Sequence, residues 1–130
     1  MKLLQKYFGH IFFPIVWTVI ILILLALPGS MVPSEQGFSV PQFDKIVHIC
    51  LFGGFVLLWN LYYSKKDISP RKKLRIFFTV FIIGAVYGIG MEYVQKYFIP
   101  KRDFDQGDII ADLVGASLAY GICNVTLLGI

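Results

Sequence analysis

Charged residues are scarce in this sequence, and the motifs that mark many soluble enzymes are missing. Only 15% of the 130 residues carry a charge, whereas soluble domains average about a quarter. The sequence has no HExxH pair, no cysteine-based metal spacing, no GxSxG turn and no glycine-rich phosphate loop. Zinc proteases, thiolate metal sites, serine hydrolases with a nucleophile elbow and P-loop enzymes are therefore disfavoured.

Cysteine is nearly absent, since the chain contains only Cys50 and Cys123. The two residues are expected at different depths of two helices, roughly 10–15 Å apart along the helix axes at 1.5 Å per residue. A disulfide needs Cα atoms within about 7 Å of each other, so none is predicted. Both cysteines are expected to be small apolar residues of the core.

Apolar residues make up 57% of the chain and form four long runs. Each run approaches the roughly 20 residues that an α-helix needs to cross a membrane. The sequence therefore predicts an all-α, multi-pass protein of the cytoplasmic membrane, folded as one four-helix bundle over residues 1–130. The predicted spans are about 8–27, 44–63, 76–98 and 108–128.

The basic residues are distributed unevenly between the two sides of these spans. The N-terminal tail and the loop after the second span hold eight Lys and Arg residues, whereas the other side holds four. Because basic loops stay in the cytoplasm, both termini are predicted to be cytoplasmic and seven of the eight acids to face outward. The net charge of +4 does not predict nucleic-acid binding, because the basic residues lie beside apolar spans, where they set the topology.

Small residues recur every four positions in the last two spans. Gly84 and Gly88 lie on one face of the third span, and Ala111, Gly115 and Ala119 lie on one face of the fourth. Such faces let helix backbones approach closely in a membrane. The third and fourth spans are therefore expected to form an antiparallel pair.

Polar residues gather where three of the spans reach the outer side. Spacings of three and four residues place the members from each span on one face of its helix. Ionisable groups just inside the hydrocarbon are costly unless paired or hydrated, so they are functional candidates. The set predicts a polar pocket open to the outer face, and its candidate binding residues are Asp44, Lys45, His48, Glu92, Gln95, Arg102, Asp105, Asp108 and Asp112.

Several roles fit this set, the simplest being a structural network of ion pairs that ties the helix ends together. A catalytic role has two forms: a divalent metal whose bound water attacks an ester or phosphoryl group, or general acid–base catalysis. A proton carrier based on Glu92 is less favoured, because no ionisable residue lies in the middle of a span. The candidate metal ligands are His48, Glu92, Asp108 and Asp112, and the candidate catalytic residues are Glu92, Asp108 and His48.

The order of these residues resembles the VanZ-like family of small bacterial membrane proteins. The resemblance covers about residues 12 to 125. Asp112 departs from the family pattern, which usually has asparagine at that position. The motifs that carry the resemblance are Asp44-Lys45-x-x-His48, Glu92-x-x-Gln95, and a run from Arg102 through Asp105, Asp108 and Asp112 to Gly115.

The resemblance implies a membrane-embedded protein that acts in the cell envelope. The family's namesake gives low-level resistance to teicoplanin, a lipidated glycopeptide antibiotic, without remodelling peptidoglycan precursors. The first hypothesis is therefore a non-enzymatic protein that contacts membrane lipids, binds a lipid-linked cell-wall precursor or a lipoglycopeptide, and alters teicoplanin susceptibility. The alternative is a metal-dependent or acid–base hydrolase or transferase acting on a lipid-linked envelope substrate. The sequence does not predict an oligomeric state.

Overall fold

A computed structural model describes residues 1–28, 43–100 and 104–129, and every regular element in these ranges is an α-helix. Three helices, α3 to α5, are each long and apolar enough to cross a membrane, and α1 with α2 passes that test only as a bent pair. An all-helical protein with membrane-length helices is thus confirmed, while the fourth crossing and the side of the termini stay predictions. The helices are α1 (Lys2–Phe8), α2 (Phe12–Ala26), α3 (Phe43–Ser64), α4 (Pro70–Phe98) and α5 (Gln106–Leu128).

Within the first predicted span, residues 8–27, the helix α2 covers Phe12–Ala26, and a separate short helix, α1, precedes it. α1 and α2 meet at a bend of 76°. Gly9, which follows α1, favours helix poorly, and the ring of Pro14 would clash with the carbonyl of His10 in a continuous helix. α2 begins instead at Phe12, whose N–H donates to His10 Nδ1 at 3.0 Å. The helix therefore starts at Phe12 rather than at the predicted Phe8, and the His10 side chain accepts the N–H of its first residue.

α4 begins at Pro70 rather than at the predicted Ile76, because Ser69 and Pro70 form a helix start. Ser69 Oγ accepts the N–H of Lys72 at 3.2 Å. Proline needs no N–H partner in the first turn of a helix. Half of the predicted basic loop is consequently helical. The starts of α3 and α5 lie within two residues of their predicted positions, at residues 43 and 106.

α5 makes its closest contacts with α3, where two glycines face each other. A Cβ at Gly115 would collide with the carbonyl group of Ile49, so the two backbones touch at this point. A Cβ at Gly53 would lie 3.2 Å from the Gly115 carbonyl oxygen. The antiparallel pair predicted for the last two spans is therefore only part of the packing, since Gly115 faces α3.

The glycines of α4 divide their contacts between the same two helices. A Cβ at Gly88 would meet Asp112 of α5, as the predicted pairing requires, whereas one at Gly84 would meet Phe55 and Val56 of α3. α4 thus packs into the angle between α3 and α5. This arrangement brings the C-terminal end of α4 close to the N-terminal ends of the other two helices.

α2 lies along the other side of α3 and α4 and is held there by hydrogen bonds to both helices. Trp17 Nε1 donates to the carbonyl of Leu51 at 2.7 Å, and Tyr87 Oη donates to the carbonyl of Thr18 at 2.9 Å. Near its end, the carbonyl of Leu25 accepts from α4. α2 therefore runs antiparallel to α3 over most of the length of the bundle.

Both cysteines are free, which agrees with the prediction of no disulfide. Cys123 is buried in the core as expected. Cys50 is exposed, so its predicted place in the core is wrong. Its face of α3 points away from the other helices, and in a membrane-spanning helix an apolar face is equally stable against lipid.

Replacing Gly115 by alanine should destabilise the protein by about 1–3 kcal/mol, because the added methyl group forces the α3 and α5 backbones apart. Gly121→Ala is the matched control, since a Cβ there meets no atom of the described residues within 4 Å. Thermal unfolding of the purified proteins in one detergent measures the difference. Equal melting temperatures for Gly115→Ala and wild type would contradict the backbone contact.

Candidate functional site

The ammonium group of Lys45 lies among three carboxylates where α3 and α5 begin. Its Nζ donates to Asp44 Oδ2 at 2.9 Å, to Asp108 Oδ1 at 2.6 Å, and to the carboxylate of Asp105. Asp44 and Asp108 lie in the first turns of their helices and Asp105 caps α5, positions where the helix dipole favours acids. Gly107 leaves room for the lysine, because a Cβ there would lie 2.8 Å from Lys45 Cε.

The contact with Lys45 changes the acidity of Asp105, which lies just outside the apolar part of α5. The hydrogen bond from the ammonium group holds the pKa of the Asp105 carboxyl below its usual value, and the N–H of Gly107 acts in the same direction. Desolvation opposes both effects. The side chain is 46% exposed, so the ion pair is a modest source of stability.

His48 and Asp112 form a second pair one helical turn further along α3 and α5. Their Nδ1 and Oδ1 atoms are 2.7 Å apart, and when Asp112 is ionised Nδ1 is the donor, because an ionised carboxylate can only accept. The other ring nitrogen, Nε2, lies 3.6 Å from Asp108 Oδ2. His48 is 5% exposed and Asp112 is 2% exposed, so both are removed from bulk water.

Asp112 is incompletely satisfied. Its Oδ2 atom is buried and has no hydrogen-bond partner among the residues that the structure describes. The atom faces Gly88, where a Cβ would lie only 2.8 Å away. Because buried polar atoms are nearly always hydrogen-bonded, this oxygen marks a place where the site's own side chains leave an acceptor free.

Two polar residues of α4 are buried beside this pair, and they point in different directions. Glu92 Oε1 accepts the backbone N–H of Asp105 at 2.8 Å, and its carboxyl group lies within electrostatic range of His48 and Asp108. Gln95 Nε2 instead donates to the carbonyl of Leu25 at 2.8 Å. Glu92 therefore joins the site, whereas Gln95 fixes the end of α2.

Seven of the nine predicted binding residues lie together in the structure. Gln95 bonds to α2 as described, and Arg102 lies outside the described residues. The binding roles stay predictions. We call the seven residues the acidic cluster: Asp44, Lys45, His48, Glu92, Asp105, Asp108 and Asp112.

The acidic cluster can hold a metal in a different arrangement from the predicted one. Among the described residues, one group places its ligand atoms within 4.8 Å of one another: Asp44, Asp105 and Asp108. Only Asp108 belongs to the predicted metal set. Lys45 Nζ already binds all three carboxylates, so a cation there would compete with its ammonium group. The predicted ligands His48 and Asp112 bind each other.

Sequence reasoning missed the glycine that makes room for Lys45 and the carbonyl that binds Gln95. Gly107 comes two residues after the capping Asp105, and a glycine in the first turn of an otherwise apolar helix is a signal of close approach. The carbonyl of Leu25 gave no such signal, since every residue has one. Its availability follows from its place at the end of α2, where helix carbonyls lack internal partners.

Comparison with known proteins places the sequence in a family. The family model described as VanZ/LLP1 matches residues 5–128. An uncharacterized protein of Schizosaccharomyces pombe, C11E3.10, is 35% identical over 99 residues, which cover 76% of this chain and 57% of the relative. The chain thus spans little more than half the length of that relative, and the relative is eukaryotic. No solved structure matches the chain.

Replacing Asp105 by asparagine should reduce stability at neutral pH and have little effect in acid. The lowered pKa means that the ionised carboxylate stabilises the folded state above its unfolded pKa of about 3.9, and that this contribution is lost as the pH falls through the folded pKa. Asparagine still caps the helix. Melting temperatures at pH 7 and below pH ~4 test this, with the exposed Asp67→Asn as control. If the melting temperatures of wild type and Asp105→Asn differed by the same amount at both pH values, the ion pair would be contradicted.

Proposed function

The chain belongs to the VanZ/LLP1 family, and we propose that it is a multi-pass membrane protein that binds the polar head of an amphiphilic molecule at the acidic cluster. One observation carries the proposal: five carboxylates share one lysine and one histidine where three membrane-length helices end. The burial of Asp112 supports it, because a purely structural network would be expected to satisfy its buried Oδ2, which has no partner among the described residues.

The proposal includes the orientation that the basic residues predict. With four crossings and both termini in the cytoplasm, the acidic cluster faces the outside of the cytoplasmic membrane. Reporter fusions after Asp67 and Gly129 should then both be active in the cytoplasm. External reporters at both positions would reverse the assignment, and reporters on opposite sides would contradict two crossings by α4 and α5. In the proposed orientation the cluster meets envelope molecules rather than cytoplasmic nucleotides.

The chemistry of the cluster restricts the ligand's head group. Carboxylates in excess accept hydrogen bonds and repel anions, so amines and sugar hydroxyls fit better than a bare phosphate. An apolar tail would lie along the lipid-facing side chains of α4 and α5, such as Ile89 and Ile110, which are 36% and 61% exposed. A lipid-linked cell-wall precursor or a lipoglycopeptide such as teicoplanin has both parts, and sequestering either changes susceptibility to that antibiotic.

Glu92→Gln tests the proposal, because glutamine preserves the size of the side chain and an oxygen that can accept the Asp105 N–H. Wild type, the variant and an empty vector are compared in a sensitive Gram-positive host at equal membrane expression. Wild type should raise the inhibitory concentration of teicoplanin but not of vancomycin, and Glu92→Gln should remove this protection. Asp67→Asn, an exposed acid away from the cluster, should protect like wild type. Protection by Glu92→Gln equal to wild type would refute the role of the cluster.

The His48–Asp112 pair favours a second candidate, a hydrolase or transferase acting on a lipid-linked envelope substrate. Asp112 fixes the imidazole so that Nε2 is free to take a proton from water or a hydroxyl group. That oxygen would attack an ester or phosphoryl group, and the leaving group would depart with a proton. A cation on the carboxylates of Asp44, Asp105 and Asp108 is the metal-dependent version.

His48→Gln distinguishes this enzyme from a binding protein. In proteoliposomes with a lipid-linked substrate, wild type should release product, and His48→Gln should slow release by about 10²-fold or more. Asp112→Asn, which keeps an acceptor for Nδ1, should retain more activity than His48→Gln. Elemental analysis of the purified protein tests the metal-dependent version. Absence of product with wild type, or equal rates with His48→Gln, would exclude His48 catalysis on that substrate.

A further inference from the structure

The bend between α1 and α2 produces two adjoining cavities at the end of the bundle opposite the acidic cluster. α3 begins at the cluster and ends at Ser64, and both cavities involve the last turns of α3. The first cavity, the apolar groove, has a volume of about 370 Å³. The second, the elbow cavity, has a volume of about 430 Å³ and lies against the bend itself. Both fall within the range of about 300–1,000 Å³ that is usual for ligand sites.

The apolar groove lies between α1, α2 and the second half of α3. Its walls are apolar side chains that include Phe8, Val16, Trp17, Leu58 and Leu61. The indole N–H of Trp17 donates to the Leu51 carbonyl and so is not available to a ligand. The groove therefore offers a ligand only apolar contacts, as an acyl chain requires.

The elbow cavity is different in character, and residues that follow those of the groove in the sequence line it. Phe8 of the groove is followed by Gly9 of the elbow cavity, and Leu61 is followed by Tyr62. Lys65 and Lys66 also line the elbow cavity. Both cavities thus lie at the same ends of α1 and α3, and a molecule that spans the two would have one end beside two ammonium groups.

The bend itself positions these charges. The carbon chain of Lys65 lies against Gly9, where any side chain would collide with it, and Lys66 Nζ lies 4.6 Å from the centre of the Tyr62 ring. His10, which lines the same cavity, accepts at Nδ1 from the N–H of Phe12. A neutral His10 consequently carries its proton on Nε2, as a third hydrogen-bond donor.

We propose that the apolar groove and the elbow cavity form one binding site for an anionic phospholipid. The acyl chain occupies the groove, and the phosphate binds Lys65, Lys66 and His10. A soluble anion would leave the groove unused, and a zwitterionic lipid would gain less from the lysines. The elbow faces the cytoplasmic leaflet in the predicted orientation, where anionic lipids meet basic segments. This site is separate from the acidic cluster and does not depend on the function proposed for it.

Trp17 provides a direct probe, because it lines the groove and is one of only two tryptophans. In a Trp59→Phe background, Trp17 is the remaining tryptophan. The protein is reconstituted in phosphatidylcholine vesicles that contain graded amounts of phosphatidylglycerol or phosphatidylcholine with brominated acyl chains. Bromine quenches tryptophan by contact, so quenching reports an acyl chain in the groove. Brominated phosphatidylglycerol should reach half-maximal quenching at a mole fraction about fivefold lower than brominated phosphatidylcholine.

Two pairs of variants distinguish a specific lipid-binding site from nonspecific attraction of anionic lipids to a basic surface. Lys65→Gln with Lys66→Gln should abolish the preference for phosphatidylglycerol, whereas Arg71→Gln with Lys72→Gln should keep it, although both remove two positive charges. Val16→Phe should fill the groove and reduce quenching by both lipids, whereas Val19→Phe, on an exposed face of the same helix, should not.

The outcomes that overturn the proposal are equally specific. Equal quenching by the two brominated lipids in wild type would show that the groove does not select an anionic lipid. If both double variants lost the preference for phosphatidylglycerol equally, nonspecific surface charge would explain the preference. Unchanged quenching in Val16→Phe would place the acyl chain elsewhere. None of these results bears on teicoplanin protection, so failure of this site and failure of the acidic cluster are distinguishable.

Discussion

The ion contacts of Lys45 are the interaction on which the arrangement of the site depends. One ammonium group holds carboxylates from the start of α3, the cap of α5 and the first turn of α5. Without it, three like charges would face one another at the place where two helices begin. The same contacts fix the backbone N–H of Asp105 where Glu92 can accept it, which brings α4 to the cluster. A single side chain thus joins the ends of three helices that the sequence separates by up to 63 residues.

Close packing of the α3 and α5 backbones allows the His48–Asp112 pair to form one helical turn away from the contacts of Lys45. His48 and Asp112 reach each other at 2.7 Å because α3 and α5 touch near Gly115. Gly88 then leaves the space that the carboxylate of Asp112 fills. The glycines are therefore part of the site, although none of their atoms binds a ligand. A larger residue at any of these positions would separate the charged groups before it changed the hydrophobic core.

The predictions from sequence succeeded where chain-local chemistry decides the outcome. The positions of α3 and α5 and the gathering of the acids follow from hydropathy and spacing. The failures occur where the outcome depends on which apolar face is buried. Cys50 faces outward and Gly84 faces α3 rather than α5, and hydropathy carries no such information because lipid and core are equally apolar. The bend before α2 was foreseeable from Gly9 and Pro14, which interrupt an otherwise apolar run.

Stability alone does not explain why so many acids lie at the helix ends. Replacing a buried ion pair with well-packed apolar residues is often neutral or stabilising by about 1–4 kcal/mol, so a bundle of this kind could dispense with Asp112 and Glu92. Both are instead almost completely buried, at 2% and 1% exposure, and Asp112 keeps an oxygen without a described partner. A purely structural network would be expected to satisfy its own acceptors, as Lys45 satisfies those of α3 and α5 nearer the surface. Stability alone therefore does not account for the inner carboxylates, whereas the outer ion pairs fit a frame that fixes the helix ends around them.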